Sequence, residues 1–131
     1  MIGYAIAKYL VYSLWCYVGL RMLSGHITSL GPALGFGAVR WLLGLGFGIL
    51  VFLAVGSVDR SSLAVLYFAI YTPLRVLEWT VMTWLMLRQH PPASATTRIA
   101  WVLGGIVISF TTDAVSPDGL AGRFCVGRCL C

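Results

Sequence analysis

Four long apolar runs separated by short polar breaks organise the chain. They extend from Tyr4 to Leu23, from Ala33 or Trp41 to Val58, from Ser62 to Leu87 and from Ile99 to Val115. A hydrocarbon core about 30 Å thick is crossed by a helix of roughly 17–25 residues, and each run is of that order. The breaks read SGHITSLGP at Ser24 to Pro32, SVDRSS at Ser57 to Ser62 and RQHPPASATTR at Arg88 to Arg98. Gly and Pro stop helices, while Ser, Thr and Asp start them. The expected fold is all-α: a polytopic membrane protein with four transmembrane helices in a small bundle over residues 1–115, followed by a polar, cysteine-containing tail over residues 116–131.

Composition supports a lipid environment over water. Of the 131 residues 60% are hydrophobic and 10% charged, against roughly 45–50% and 25% in an average soluble domain. A short chain buries a smaller share of its surface than a long one, so an aqueous fold of this composition would expose much apolar area. The first run differs from a cleaved signal peptide, because Lys8 interrupts it and no small-x-small site follows. Lys and Arg outnumber Asp and Glu by nine to four, but they are scattered singly. That spacing points to lipid, including anionic lipid, as a partner and away from nucleic acid.

Four spans place both termini on one side. The opposite side then carries Arg21, Arg40, Arg88 and Arg98 with His26 and His90 and no acid, while the terminal side carries Lys8, Arg60, Arg123 and Arg128 with Asp59, Asp113 and Asp118. Counted by Lys and Arg alone the two sides tie. Because Arg123 and Arg128 lie well beyond the last run, the termini are expected on the non-cytoplasmic side. Arg21, Arg88, Arg98, His26 and His90 form the expected rim for anionic lipid headgroups; for the two histidines, simple solvation in a loop is the plainer alternative.

The third run places Arg75 and Glu78 near its middle. An intramembrane charge costs about 2.5–3.5 kcal/mol on insertion scales and by default marks a site. Their i, i+3 spacing puts them on one helical face. Thr72 and Pro73 just precede them, and the proline removes a backbone donor and disturbs the preceding turn, so a polar niche is expected there. At about 1.5 Å per residue, Glu78 lies roughly 15 Å from the helix end near Arg88 and Arg40 about 12 Å from a start at Pro32, depths that let Arg40 and Glu78 pair. If the second helix starts at Trp41, Arg40 and Trp41 are instead an interfacial anchor. The Arg75 and Glu78 pair is read either as an ion pair that fixes helix register or as a proton acceptor or anion anchor.

In the first run Tyr4, Tyr9, Tyr12, Trp15 and Tyr17 reach deeper than an interfacial belt. The stripe Lys8, Tyr12, Trp15, Gly19 is the expected inward face, with Tyr12 as a supporting polar group. Gly44 and Gly48 form a G-x-x-x-G pair, and Ala100, Gly104, Gly105 and Ser109 repeat the small-residue pattern in the last run; such residues let helices approach closely in lipid. Cys125, Cys129 and Cys131 follow a C-x₃-C-x-C pattern with Cys16 as the fourth cysteine. Without a second ligand pair, disulfide or plain thiols are expected ahead of metal or lipid attachment.

Chemistry is constrained by what the chain lacks. It has four acids and no G-x-S-x-G, H-E-x-x-H, Walker A or GxGxxG motif, so neither a metal, a cofactor nor a catalytic residue is expected, and the reading leans away from an enzyme. The leading expectation is a proton- or anion-linked transporter or channel acting as a homo-oligomer. An accessory or scaffold subunit that binds partner helices stands beside it. A lipid-modifying enzyme that uses Glu78 and the Arg groups is the third alternative.

Overall fold

A computed structural model describes residues 2–24, 29–55, 64–88 and 93–120. The long helices are α1 (Ile2–Ser24), α2 (Leu30–Val55), α3 (Ala64–Leu87) and α4 (Ala95–Ala114), and a single turn, α5 (Pro117–Leu120), follows. The described residues contain no strand. His26, His90, Asp59, Arg60 and the tail with Arg123, Cys125, Arg128, Cys129 and Cys131 lie outside the described residues.

Helix α2 begins at Leu30, ahead of both expected starts. Pro32 falls in its first turn, where a missing N–H costs nothing, so Arg40 sits well inside the helix and is no interfacial anchor. Helix α4 begins at Ala95, four residues before Ile99. Ser94 is the reason: its hydroxyl accepts the Thr97 backbone N–H at 3.1 Å, and such a cap converts a polar break into a first helical turn. Pro73 lies inside α3 without ending it.

The four long helices form an antiparallel ring in which α1 packs on α2, α2 on α3, α3 on α4 and α4 on α1, with α1 and α3 also meeting across the middle. Pairings that run in opposite senses show the direction: Lys8 meets Asp113, Trp15 meets Gly104 and Gly19 meets Trp101. Close approach is obtained through glycine. At Gly37 an added Cβ would lie 2.8 Å from the Ser13 Cα, and at Gly105 it would run into the indole of Trp79. Gly44, expected to bring helices together, instead faces guanidinium groups: an added Cβ would lie 3.2 Å from Arg40 Nη1 and 4.0 Å from Arg75 Nη1.

Side chains are distributed inside out. Ile2, Ile6, Leu10 and Leu14 of α1 and Ile99, Leu103 and Val107 of α4 form exposed apolar stripes, while Arg40, Arg75, Glu78 and Asp113 are buried. Among the described residues, two helices, over Leu30–Ala54 and Ala95–Ala114, are long and apolar enough to cross a membrane. Helices α1 and α3 are long enough but fall short on composition, because Lys8, Arg21 and four tyrosines dilute the first and Arg75 and Glu78 the third. Among the described residues the interior has two apolar clusters. One gathers Tyr12, Cys16, Leu20, Leu23, Ala33, Trp79, Met82, Met86 and Trp101; the other, nearer the start of α3, gathers Val51, Tyr67 and Tyr71.

Candidate functional site

Between the two clusters, each long helix contributes at least one charged side chain to a single buried network. On α3 the inward stripe is Tyr67, Tyr71, Arg75, Glu78, Met82 and Met86, all buried; steps of four and three residues keep a helix face aligned. On α4 the stripe Trp101, Gly105, Ser109 and Asp113 is likewise buried. Lys8 and Tyr12 continue one face of α1, and Arg40 and Gly44 one face of α2.

The charges alternate along the network. Lys8 Nζ contacts Asp113 Oδ1 at 2.5 Å, Arg75 Nη2 contacts Asp113 Oδ2 at 2.7 Å, Arg75 Nη1 contacts Glu78 Oε2 at 2.9 Å, and Arg40 Nη2 contacts the same Glu78 oxygen at 2.6 Å. Tyr67 OH also donates to Asp113 Oδ2 at 2.7 Å. At the far end Arg40 Nη2 donates to Ser109 Oγ at 3.2 Å, and Trp79 Nε1 donates to the same hydroxyl at 3.0 Å. The Arg40 guanidinium lies between two aromatic faces, 4.7 Å from the Tyr12 centroid and 4.9 Å from that of Trp79, a cation–π geometry that partly replaces hydration.

Burial deepens along this series. The Lys8 side chain is 14% exposed, Asp113 9%, Arg75 8%, Glu78 2% and Arg40 0%. Removing charges from water costs several kcal/mol per ion and is offset only when partners and hydrogen bonds are in place. The carboxylates meet that condition, since each is engaged by two cationic side chains. The cations outnumber them by three to two. Among the described residues, Arg40 Nε, Arg40 Nη1, Arg75 Nε and Tyr12 OH are buried without a hydrogen-bond partner. Beside Arg40 Nη1, Gly44 leaves space that any larger residue would fill.

The structure thus brings together Arg40, Arg75, Glu78 and Tyr12 with Lys8, which shares the inward stripe of α1 with Tyr12, and adds Asp113, Tyr67 and Ser109. Taken alone, Asp113 counts among the charges of the terminal side; its four-residue spacing from Ser109 is the signal that finds it. Thr72 and Pro73 are corrected: both are exposed on the outer side of α3. At about 100° per residue, Pro73 points nearly opposite to Arg75. Lys8 and Arg40 both enter the network, Lys8 from the inward stripe of α1 through Asp113 and Arg40 through Glu78, the partner its depth allows. Of the expected lipid rim, Arg21 stacks over Tyr17 at 5.0 Å and Arg88 over Trp84 at 4.2 Å, while Arg98 lies along a groove between α3 and α4. Cys16 is a buried free cysteine, and no three potential metal ligands cluster among the described residues.

The fold and site define an all-helical protein whose bundle encloses a buried ionic layer with one excess positive charge. Compared with protein-family models, curated proteins and solved structures, the chain matches none.

Proposed function

We propose that the protein is a four-span membrane protein that carries a small anion through its bundle. The membrane part is supported by the inside-out arrangement: exposed Leu, Ile and Val stripes surround buried charges, the inverse of a water-soluble surface. Arg40 stands about 15 Å along α2 from Leu30 at helical rise, the depth of a bilayer midplane.

One observation carries the anion part. Both carboxylates are already engaged by cations, while Arg40, fully buried, has two donor nitrogens unpartnered beside the unpartnered Tyr12 hydroxyl. A buried donor without an acceptor costs about 1–3 kcal/mol, and an anion supplies the acceptor. The same arrangement disfavours proton carriage by Glu78, whose Oε2 holds two guanidiniums at 2.6 and 2.9 Å. The alternating charges from Lys8 to Arg40 supply a graded approach from the rim to the midplane. With Lys8 and Arg40 inside the bundle, Arg21, Arg88 and Arg98 on one side balance Arg60, Arg123 and Arg128 on the other; a non-cytoplasmic location for the termini belongs to the proposal through the distance of Arg123 and Arg128 from the last span.

Chloride release from proteoliposomes, followed with a halide-quenched dye, tests this reading. Wild type is expected to exceed protein-free vesicles, and Tyr12→Phe to lower the rate about tenfold by removing one donor to a charged ligand. Folding of that variant is expected to be unimpaired, since the hydroxyl has no partner to lose. A folded wild type without flux would leave the ionic layer as a device that fixes helix register, as in an accessory subunit.

A further inference from the structure

The outer face of α3 and α4 holds a groove of about 550 Å³ lined by Val76, Thr80 and Trp84 on one side and Ile99, Leu103 and Ile106 on the other. Its lining is almost wholly apolar, with one charged residue, Arg98, near the end where α4 begins. The Arg98 Nε is buried and has no hydrogen-bond partner among the described residues. Arg88, the residue after α3, stacks on Trp84 of the same groove with its guanidinium 4.2 Å from the ring centroid. The start of α4, capped by Ser94, adds the positive end of a helix dipole at that end.

Length identifies what fits. From Ala95 to Ile106 the groove runs about 16 Å at helical rise, close to half of a hydrocarbon core about 30 Å thick. That is the depth reached by the chains of one leaflet. The charge lies at one end and the apolar lining extends away from it, the polarity of a phospholipid. The planar guanidinium fork suits a phosphate. By contrast, the described residues that line the groove between α1 and α2, among them Ile6, Tyr9, Ala38 and Trp41, include none with a charge.

We propose that the α3–α4 groove seats one acyl chain of an anionic phospholipid, with the phosphate held at Arg98 and Arg88. The proposal rests on the bundle lying in a bilayer. It is distinct from anion passage, because the groove opens outward and shares no residue with the ionic layer.

Trp84, 54% exposed in the groove, supplies the readout. The full chain is reconstituted in phosphatidylcholine vesicles doped with phosphatidylglycerol or phosphatidylcholine brominated in mid-chain, and the Trp84 share of fluorescence is obtained by difference from Trp84→Phe. Brominated phosphatidylglycerol is expected to half-quench Trp84 at a mole fraction about tenfold lower than brominated phosphatidylcholine, since each basic residue near the surface contributes measurably to anionic-lipid binding. Replacing both residues, Arg88→Gln with Arg98→Gln, is expected to bring the two lipids level. Equal quenching in wild type, or a preference that survives the double substitution, would overturn the proposal. Vesicle flotation separates this failure from that of the membrane reading: protein that floats but shows no preference refutes the groove alone, whereas protein that never floats refutes both.

Discussion

On the side of the bundle nearer the termini, Lys8, Asp113, Arg75 and Glu78 bond in alternation down to Arg40, whereas on the other side Cys16, Leu20, Leu23, Met82, Met86 and Trp101 pack by shape. The two parts position the helices by different physics. Ion pairs with short, directed contacts specify which residue faces which, and a slip of one turn would leave charges bare. Apolar contacts carry no directed bonds, so packing there relies on close fit. Gly19 against Trp101 and Gly105 against Trp79 provide it. The ionic part is therefore the more costly to break and the more specific; the apolar part tolerates change that preserves volume.

The largest expected effect follows from Glu78→Gln. Glu78 Oε2 is the common partner of Arg40 and Arg75, and its neutral isostere leaves Arg40 without a carboxylate partner and Arg75 with Asp113 alone. Breaking a buried pair by removing one partner costs about 3–5 kcal/mol. Unfolding of the two proteins in the same detergent micelle measures the difference. A loss below about 1 kcal/mol, the value of an exposed pair, would show that water reaches Arg40 and that the division of the interior is wrong.

Much of this architecture was legible before the helices were placed, and the exceptions have physical causes. Apolar runs located the long helices because length and hydrophobicity are properties of a segment. The start of α2 stayed open because an Arg followed by a Trp is equally at home at an interface or inside a bundle; only the depth of Arg40 beside Glu78 decides it. Thr72 and Pro73 were grouped with Arg75 by adjacency in sequence, yet neighbours on a helix point in different directions. Asp113 was set apart for the converse reason. It is 38 residues from Arg75 and 105 from Lys8, and it closes the network only because α3 and α4 pair antiparallel with Ser109 and Asp113 on one stripe.

A change in the apolar part should cost less. Gly19→Ala places a methyl group where the Trp101 indole lies, and Trp101 is fully buried. Overpacking of this kind costs about 1–3 kcal/mol. Combining it with Trp101→Phe, which shortens the ring system, is expected to recover part of the loss, measured by the same unfolding assay. Additive losses in the double variant would mean that the contact between α1 and α4 is not what the glycine serves.

The smallest expected effect lies at the rim of the ionic part and tests whether its burial gradient is real. Lys8 pairs with Asp113 and lies 5.5 Å from the Tyr4 ring centroid, but its side chain is 14% exposed where Arg40 is 0%. Lys8→Met keeps the length of the stem, and Asp113 retains Arg75 and Tyr67. The loss should therefore be near the range of an exposed pair, about 1 kcal/mol. It should also shrink as salt is raised from about 0.1 M to 1 M, since the screening length falls from about 10 Å to 3 Å. The Glu78→Gln loss should change less, because the Arg40 and Glu78 side chains are 0% and 2% exposed and buried pairs are screened much less by bulk salt than exposed ones. If both losses respond to salt alike, the network is open along its whole length, and the contrast between its rim and its buried end disappears.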